Sequence, residues 1–231
     1  MHDISAITFD LDDTLWAIQP VIARAERRMY SWLAEHYPRT ASCVTPDEML
    51  QLRREVVAEH TDRALDLGHL RRAVLQRIGD AAGYGSSLVD GAFAVFDDAR
   101  NDVDIFPDVL PALKSLRQHY AIIAVTNGNA NLDKIGIRGF FDDVVSALGT
   151  GSAKPARGIF DEAVRAGGAD ARQTLHVGDH PEQDVNGAHQ AGLKTVWVNR
   201  HGQEWPRELP AADAEVEHIG QLVRILDEHR Q

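Results

Sequence analysis

The chain has 231 residues, enough for one large domain or two modest ones with a substantial core. Acidic residues outnumber basic ones by 35 to 24, and the formal net charge of -11 argues against nucleic acid or an anionic membrane as the main partner. The single cysteine, Cys43, excludes an intrachain disulfide, and no apolar run approaches membrane-spanning length. A strand pattern begins almost at the N-terminus, without a basic and apolar leader, so we expect a cytoplasmic protein.

The first predicted element is a short buried strand, Ile4 to Phe9, followed at once by the carboxylates of Asp10, Asp12 and Asp13. Asp10 and Asp12 are two residues apart, so in an extended backbone their side chains lie on one face. One of the two carboxylates can then act as a nucleophile or metal ligand, and the other as a general acid and base. Charges at the end of a buried strand are costly without a partner, and we expect a divalent cation with a phosphate beside it. An acidic surface turn is the alternative interpretation.

Helical periodicity replaces the strand pattern from about Pro20 to Asp98. The apolar spacing predicts four consecutive helices, at about 20–38, 46–60, 68–82 and 87–100. Thr45 is the predicted N-cap of the second helix, with Pro46 in its first turn. Four helices without an intervening strand predict a small helical bundle inserted after the first strand.

An alternating pattern of strands and helices resumes near Ile105. Strands are predicted at 121–125, 144–148, 174–177, 193–198 and 215–216, and helices at 107–119, 155–166, 181–192 and from about 219. Such alternation implies a parallel sheet with right-handed crossovers. The predicted fold class is therefore α/β, with a Rossmann-like parallel sheet core formed by residues 1–17 and 102–231 and an inserted α-helical bundle formed by residues 18–101.

Three later stretches place further polar groups beside the ends of predicted strands. Thr126 and Asn127 follow an apolar strand, where a hydroxyl can hydrogen-bond a phosphoryl oxygen. Lys154 precedes a proline that begins a helix, so its ammonium stands on a loop and can reach a phosphate or a carboxylate. Asp179 and Asp184 follow a strand and enter the next helix. Alone, each has an ordinary explanation: a turn hydroxyl, a solvated lysine or a capping aspartate.

In this order the stretches D-x-D-x-T-L, a strand-ending threonine, Lys-Pro and G-D-x-x-x-x-D resemble motifs I to IV of the haloacid dehalogenase superfamily. The helical insert resembles the type I cap of that superfamily, and the resemblance covers nearly the whole chain. It implies a phosphoric monoester hydrolase in which Asp10 attacks phosphorus, forming an aspartyl-phosphate, and Asp12 protonates the leaving oxygen. It also implies that the phosphate is bound by Thr126, Asn127 and Lys154.

The resemblance further implies a Mg²⁺ ion at the strand ends. The side chains of Asp10 and Asp179 and the backbone carbonyl of Asp12 would hold the ion. Asp184 would stand behind them and orient Asp179, the waters of the metal or Lys154. His180 lies beside these acids, but hard oxygen ligands suit Mg²⁺ better than imidazole, so we expect it in the wall of the site.

Finer resemblance concerns the substrate. The stretches ITFDLDDTLW, AVTNGNA, HVGDH and TVWVN are similar to bacterial phosphatases that act on flavin mononucleotide and on the pyrimidine phosphate of riboflavin synthesis. These core stretches do not read the substrate, so a sugar-phosphate or phosphoglycolate phosphatase and a phosphomutase stay open. Asp12 argues against a 2-haloacid dehalogenase, since halide leaves without a proton. The presence of Asp10, Asp12 and Lys154 argues against a non-catalytic binding protein.

We expect the cap to set specificity for a small phosphorylated metabolite. The polar residues of its middle section that could grip such a substrate are His60, Arg63, His69, Arg71 and Arg72. The alternative interpretation of each is an ordinary solvent-exposed helix residue. Trp16 and Ile18, in the segment after the first acids, either line the pocket or pack. The sequence predicts no particular oligomeric state.

Overall fold

A computed structural model describes residues 3–43 and 46–228 of the protein. The chain forms two compact units. One contains the chain up to Ala17, Asp104–Gly128 and the chain from Gly136 onward, and the other contains Ile18–Val103 and Asn129–Ile135.

The first unit is built on a parallel sheet. Its strands in the described part of the chain are β1 Ala6–Phe9, β2 Ala121–Thr126, β3 Asp143–Ser146, β4 Thr174–Gly178, β5 Lys194–Val198 and β6 Ala214–Val216. Their order is β3-β2-β1-β4-β5-β6, and every neighbouring pair is parallel. All four residues of β1 are buried because this strand lies inside the sheet, between β2 and β4. The predicted α/β fold class is confirmed.

The α-helices alternate with these strands or form the second unit. Those described are α1 Ile18–His36, α2 Pro46–Glu59, α3 Leu67–Ala81, α4 Val89–Arg100, α5 Val109–Leu116, α6 Leu132–Ile135, α7 Ala147–Thr150, α8 Arg157–Gly167, α9 Gly187–Ala191 and α10 Ile219–Glu228. Among them, none combines the length and the apolar character that a membrane crossing needs.

Two predicted elements differ from the structure. The strand predicted at 144–148 ends at Ser146, because the Ser146 hydroxyl accepts the N–H of Gly149 at 3.1 Å and caps α7. The helix predicted at 181–192 begins as a π-helical turn, Pro181–Asn186, before α9. A π turn closes one residue later than an α turn, and a hydrophobic pattern does not reveal that difference.

Helices α1 to α4 form the predicted helical bundle around apolar residues at helical spacing. Met29 and Leu33 of α1, Leu75 of α3 and Phe96 of α4 are buried in one cluster. The bundle is thus confirmed as part of the fold. The residue predicted to cap its second helix, Thr45, lies outside the described residues.

A segment after β2, Asn129–Ile135, groups with the helices rather than with the sheet. The ammonium of Lys134 donates to the carboxylates of Asp97 and Asp98 in α4, at 2.7 Å each. Lys134 and these two acids lie more than 30 residues apart in the sequence, so the helical periodicity could not predict their contact. The domain boundaries that the sequence predicts, after residues 17 and 101, stay a prediction.

Candidate active site

Three of the predicted site residues stand at the C-terminal ends of neighbouring strands. Asp10 directly follows β1, Thr126 is the last residue of β2, and Asp179 directly follows β4. Because these strands are parallel and adjacent, their ends lie along one edge of the sheet. A cavity of about 170 Å³ lies there. His180, which was predicted in the wall of the site, lines this cavity. So do the seven residues predicted to react, to bind phosphate or to hold and orient the metal: Asp10, Asp12, Thr126, Asn127, Lys154, Asp179 and Asp184.

A buried ion network joins Lys154 to two of these carboxylates. Its Nζ donates to Asp10 Oδ1 in a short contact and to Asp184 Oδ1 at 2.6 Å, and the Lys154 side chain is 2% exposed. Burial alone would lower the pKa of the Lys154 ammonium, but the two carboxylates outweigh burial and raise this pKa. Lys154 is therefore a fixed positive charge beside Asp10.

The acids around Lys154 differ in their tendency to ionise. Burial raises the pKa of Asp10 well above its ordinary value, because Lys154 only partly offsets the desolvation. Desolvation and the nearby charge of Asp184 raise the pKa of Asp179 to about 7. Burial also acts to raise the pKa of Asp184, but Lys154 and His176 outweigh it and hold that pKa well below its usual range. The site is therefore short of positive charge.

Replacing Lys154 by methionine is expected to destabilise the protein by about 3–5 kcal/mol, because Asp10 and Asp184 lose the cation that they share in a buried place. The measurement is the free energy of unfolding at pH 7 from a urea titration. Lys134→Met is the matched control: it removes an exposed ammonium from two surface carboxylates and should cost about 0–1 kcal/mol. Equal losses for the two variants would contradict this account of the buried network.

The loop after β1 holds its acids by hydrogen bonds of its own. The buried hydroxyl of Thr14 lies 3.3 Å from Asp10 Oδ2 and 3.2 Å from Asp179 Oδ1, so it can donate to either carboxylate. The indole Nε1–H of the fully buried Trp16 donates to Asp12 Oδ1 at 2.9 Å. Trp16, for which the sequence left lining and packing open, thus orients the side chain of Asp12.

Asn127 holds the backbone of Lys154. Its Oδ1 accepts the Lys154 N–H at 2.7 Å, while its Nδ2 donates to the Lys154 carbonyl at 3.0 Å and to Gln183 Oε1 at 3.1 Å. The substrate-binding role of Asn127 stays a prediction, and the geometry gives its amide a role in positioning Lys154. The hydroxyl oxygen of Thr126 accepts the N–H of Gly128 at 2.9 Å, which leaves its own O–H to donate elsewhere.

His176 is a buried residue of the site that the sequence patterns do not predict. It stands opposite Thr8 in the register of β1 and β4. Its Nδ1 lies 2.7 Å from Thr8 Oγ1, and its Nε2 lies 3.2 Å from Asp184 Oδ1. Burial lowers the pKa of the imidazole, so the neutral ring can accept from Thr8 at Nδ1 and donate to Asp184 at Nε2. The signal that could have revealed His176 is a pair of polar residues, Thr8 and His176, opposite each other on two buried strands. Recognising that pair requires the register of the strands, which the sequence does not give.

The turn after β4 is built around Asp184. The Nδ1 of His180 accepts the N–H groups of Glu182 and Gln183, at 3.2 Å each, and caps this turn. The N–H of His180 donates to Asp184 Oδ2 at 2.9 Å. A Cβ atom at Gly178 would stand 2.3 Å from Asp184 Cγ, so a glycine is required there. Both oxygens of Asp184 accept hydrogen bonds, which favours its predicted place behind the metal ligands.

The sequence itself decides the family. Residues 4–192 match the haloacid dehalogenase-like hydrolases. The chain belongs to this family. The superfamily resemblance predicted from the four motifs is thereby confirmed.

Three relatives show how close the chain lies to other members of the haloacid dehalogenase-like family. It is 31% identical to the 5-amino-6-(5-phospho-D-ribitylamino)uracil phosphatase of Escherichia coli, over 89% of this chain and 90% of the relative. It is 33% identical to the glyceraldehyde 3-phosphate phosphatase of Methanopyrus kandleri, over 85% and 84%. A crystal structure of a 2-haloacid dehalogenase from Pseudomonas syringae is 37% identical, with a TM-score of 0.92, and the match covers 97% of this chain and 99% of that one.

The carboxylates of this haloacid dehalogenase-like site suit a hard divalent cation. Oxygens of Asp10, Asp179 and Asp184 all lie within 4.8 Å of one another. Both oxygens of Asp184 already accept hydrogen bonds, so Asp10 and Asp179 are the candidate side-chain ligands. Carboxylate oxygens are the ligands that Mg²⁺ prefers in proteins. Burial and neighbouring carboxylates raise the pKa values of Asp10 and Asp179, and a divalent cation bound beside them would favour their ionised forms. The residues therefore fit the metal.

The helical unit of this family member uses its predicted substrate-gripping residues in internal contacts. These contacts are Arg63 with Asp66, Arg71 with Glu26 and Phe96, Arg72 with Asp90 and Phe93, and His60 with His69. Ile18 is the first residue of α1. A cavity of about 290 Å³ within this unit is lined by the polar residues Tyr30, Arg53, Arg71 and Asn129 and by apolar side chains. A role of these residues in substrate recognition stays a prediction.

Proposed function

We propose that the chain is a cytoplasmic, Mg²⁺-dependent phosphatase that hydrolyses a small phosphomonoester through an aspartyl-phosphate on Asp10. The observation that carries the proposal is the pairing of Asp10, buried against Lys154, with a second carboxylate, Asp12, two residues further on. A nucleophile, a neutralising lysine and a separate acid are the groups that phosphoryl transfer through a side chain needs. The two phosphatases named among the relatives support the same reaction class.

The reaction proceeds in two transfers. Asp10 attacks phosphorus in line, so that its bond to phosphorus forms while the bond to the leaving oxygen breaks. Asp12, protonated at the start, gives its proton to that oxygen. As a carboxylate it then takes a proton from the water that attacks the aspartyl-phosphate, which releases phosphate and restores Asp10. The hydrogen bond from Trp16 keeps Asp12 in one orientation through both transfers.

Positive charge and hydrogen bonds bind the phosphoryl oxygens. Lys154 stands beside Asp10 as a fixed cation, and the hydroxyl of Thr126 donates from the end of β2. Asp10, Asp179 and the backbone carbonyl of Asp12 would hold Mg²⁺. When bound, the ion supplies the charge that offsets the repulsion between the phosphate and the attacking carboxylate.

For the substrate we propose flavin mononucleotide or the pyrimidine phosphate of riboflavin synthesis. The similarity to the Escherichia coli pyrimidine phosphatase supports this choice. Sugar phosphates, phosphoglycolate and a phosphomutase reaction are alternatives, and the glyceraldehyde 3-phosphate phosphatase favours testing them. The 2-haloacid dehalogenase neighbour gives dehalogenation as a second candidate. Asp12 argues against it, because a departing halide takes no proton.

The test is a hydrolysis screen of the purified protein with and without Mg²⁺. The compounds are para-nitrophenyl phosphate, flavin mononucleotide, 5-amino-6-(5-phospho-D-ribitylamino)uracil, phosphoglycolate and sugar phosphates. We expect Mg²⁺-dependent release of phosphate that a chelator abolishes. Chloride release from 2-chloropropionate is measured in parallel. Release of chloride without phosphate would identify a dehalogenase and refute the phosphatase proposal. Absence of both products would contradict both candidate functions.

A further inference from the structure

Arg200, just after β5, lies outside the chemistry proposed above, yet its guanidinium is fixed on three sides. Nε and Nη2 donate to the carbonyl oxygen of Thr14 at 3.2 and 3.0 Å. Nη1 and Nη2 donate to the two oxygens of Asp108 at 3.0 Å each. One face of the group lies 4.0 Å from the centre of the Phe106 ring. Such planar, forked contacts are specific to arginine.

The partners of Arg200 are themselves anchored. Asp108, which precedes α5, also accepts the N–H of Ile219 at the start of α10, at 2.8 Å. The N–H of Phe106 donates to the carbonyl of Leu15 at 3.0 Å. The loop after β1 is thus held at two neighbouring carbonyls. Phe106 binds the carbonyl of Leu15 directly, and Asp108 holds Arg200, which binds the carbonyl of Thr14.

Thr14 links this anchor to the site. Its carbonyl takes the two donors of Arg200, while its hydroxyl lies between Asp10 and Asp179. We propose that Arg200 is a positioning residue, which holds the Thr14 carbonyl and thereby keeps the acids of the β1 loop in their working arrangement. The kinetic consequence rests on the proposed function, while the restraint on the loop does not.

The kinetic test replaces Arg200 by methionine, which keeps the apolar stem, and by lysine, which keeps the charge but not the fork. With para-nitrophenyl phosphate and Mg²⁺, we expect Arg200→Met to lower kcat by about 10- to 100-fold with little change in KM, because displaced reacting groups cost rate. Arg200→Lys should lose nearly as much. If methionine prevents folding, the lysine variant carries the test.

The matched control is Arg138→Met. Arg138 also holds a loop carbonyl, that of Phe141 at 2.5 Å, but it precedes β3 and so lies at the other end of the strands. We expect wild-type kcat for this variant even where its loss of stability equals that of the Arg200 variants. Equal falls in kcat for the Arg138 and Arg200 variants, or wild-type kcat in both Arg200 variants, would overturn the proposal.

A second readout needs no activity. Amide hydrogen exchange is followed by mass spectrometry in the metal-free protein, with peptides covering residues 10–16 and α8. We expect faster exchange in residues 10–16 of both Arg200 variants, an unchanged α8, and no such change in Arg138→Met. Unchanged exchange in residues 10–16 would overturn the restraint. An inactive wild type would instead refute the proposed function and leave this readout intact.

Discussion

Asp10→Asn is expected to lower kcat for para-nitrophenyl phosphate by about 10⁴-fold or more, because an amide cannot serve as the nucleophile that forms the aspartyl-phosphate. Steady-state kinetics measure the loss. Mass spectrometry of the intact protein during turnover should show one added phosphoryl group in the wild type and none in the variant. Asparagine keeps the size of the side chain, and Asp184 keeps its bond to Lys154, so the fold should persist.

Asp13→Asn is the matched control for that experiment. Asp13 lies on the same loop, and its backbone is left-handed with φ 62°, a conformation that asparagine adopts readily. Its kcat should stay within about tenfold of wild type. Equal losses for the two variants, or wild-type turnover in Asp10→Asn, would contradict the role of Asp10 as nucleophile.

Asp179→Asn is expected to change the pH dependence of stability in metal-free protein. The ordinary pKa of an aspartate is 3.8, and in the folded state that of Asp179 is raised to about 7. Between these values the folded state binds the proton more tightly than the unfolded state does, so the contribution of Asp179 to stability falls as pH rises from about 4 to 7. Asparagine cannot ionise, and the variant escapes this loss.

The measurement is the melting temperature of both proteins across this pH range in a chelator. The melting temperature of Asp179→Asn relative to wild type should increase with pH, and a constant difference would contradict the raised pKa. Asp10 titrates in both proteins, and in the variant its pKa is no longer raised by the charge of Asp179, which changes the difference in the same direction. At pH 7, added Mg²⁺ should raise the melting temperature of the wild type by mass action and that of the variant much less. An equal rise in both would remove Asp179 from the proposed metal ligands.

Local patterns were enough to predict the parallel sheet and the residues at its edge. Buried parallel strands are continuous apolar runs, and polar residues at their ends, such as Asp10, Thr126 and Asp179, stand out against them. The parallel arrangement then brings them to one edge without knowledge of any side-chain contact. Helix periodicity located the bundle in the same way. The end of β3 was missed because the cap at Ser146 overrides an apolar stretch that continues beyond it.

The contacts that orient the site could not be predicted from the sequence. His176 meets Asp184 from inside the sheet, and Arg200 meets Thr14 across 186 positions of sequence. These contacts depend on strand register and on the path of a loop. The hydrophobic periodicity of the sequence indicates neither the register nor the path. Asn127 illustrates the same limit, since its place beside a strand end predicts a substrate contact while its amide holds the backbone of Lys154.

The burial of Lys154 and Asp184, each 2% exposed at the side chain, has a consequence for experiments in different buffers. Dissolved ions screen charges that face water and act weakly on pairs enclosed by protein. The interactions of Lys154 with Asp10 and Asp184 should therefore change little with ionic strength. Salt should instead act on the encounter between a negatively charged metabolite and a protein whose net charge is -11. Rates measured far below saturation will carry that dependence, and rates at saturation will be largely free of it.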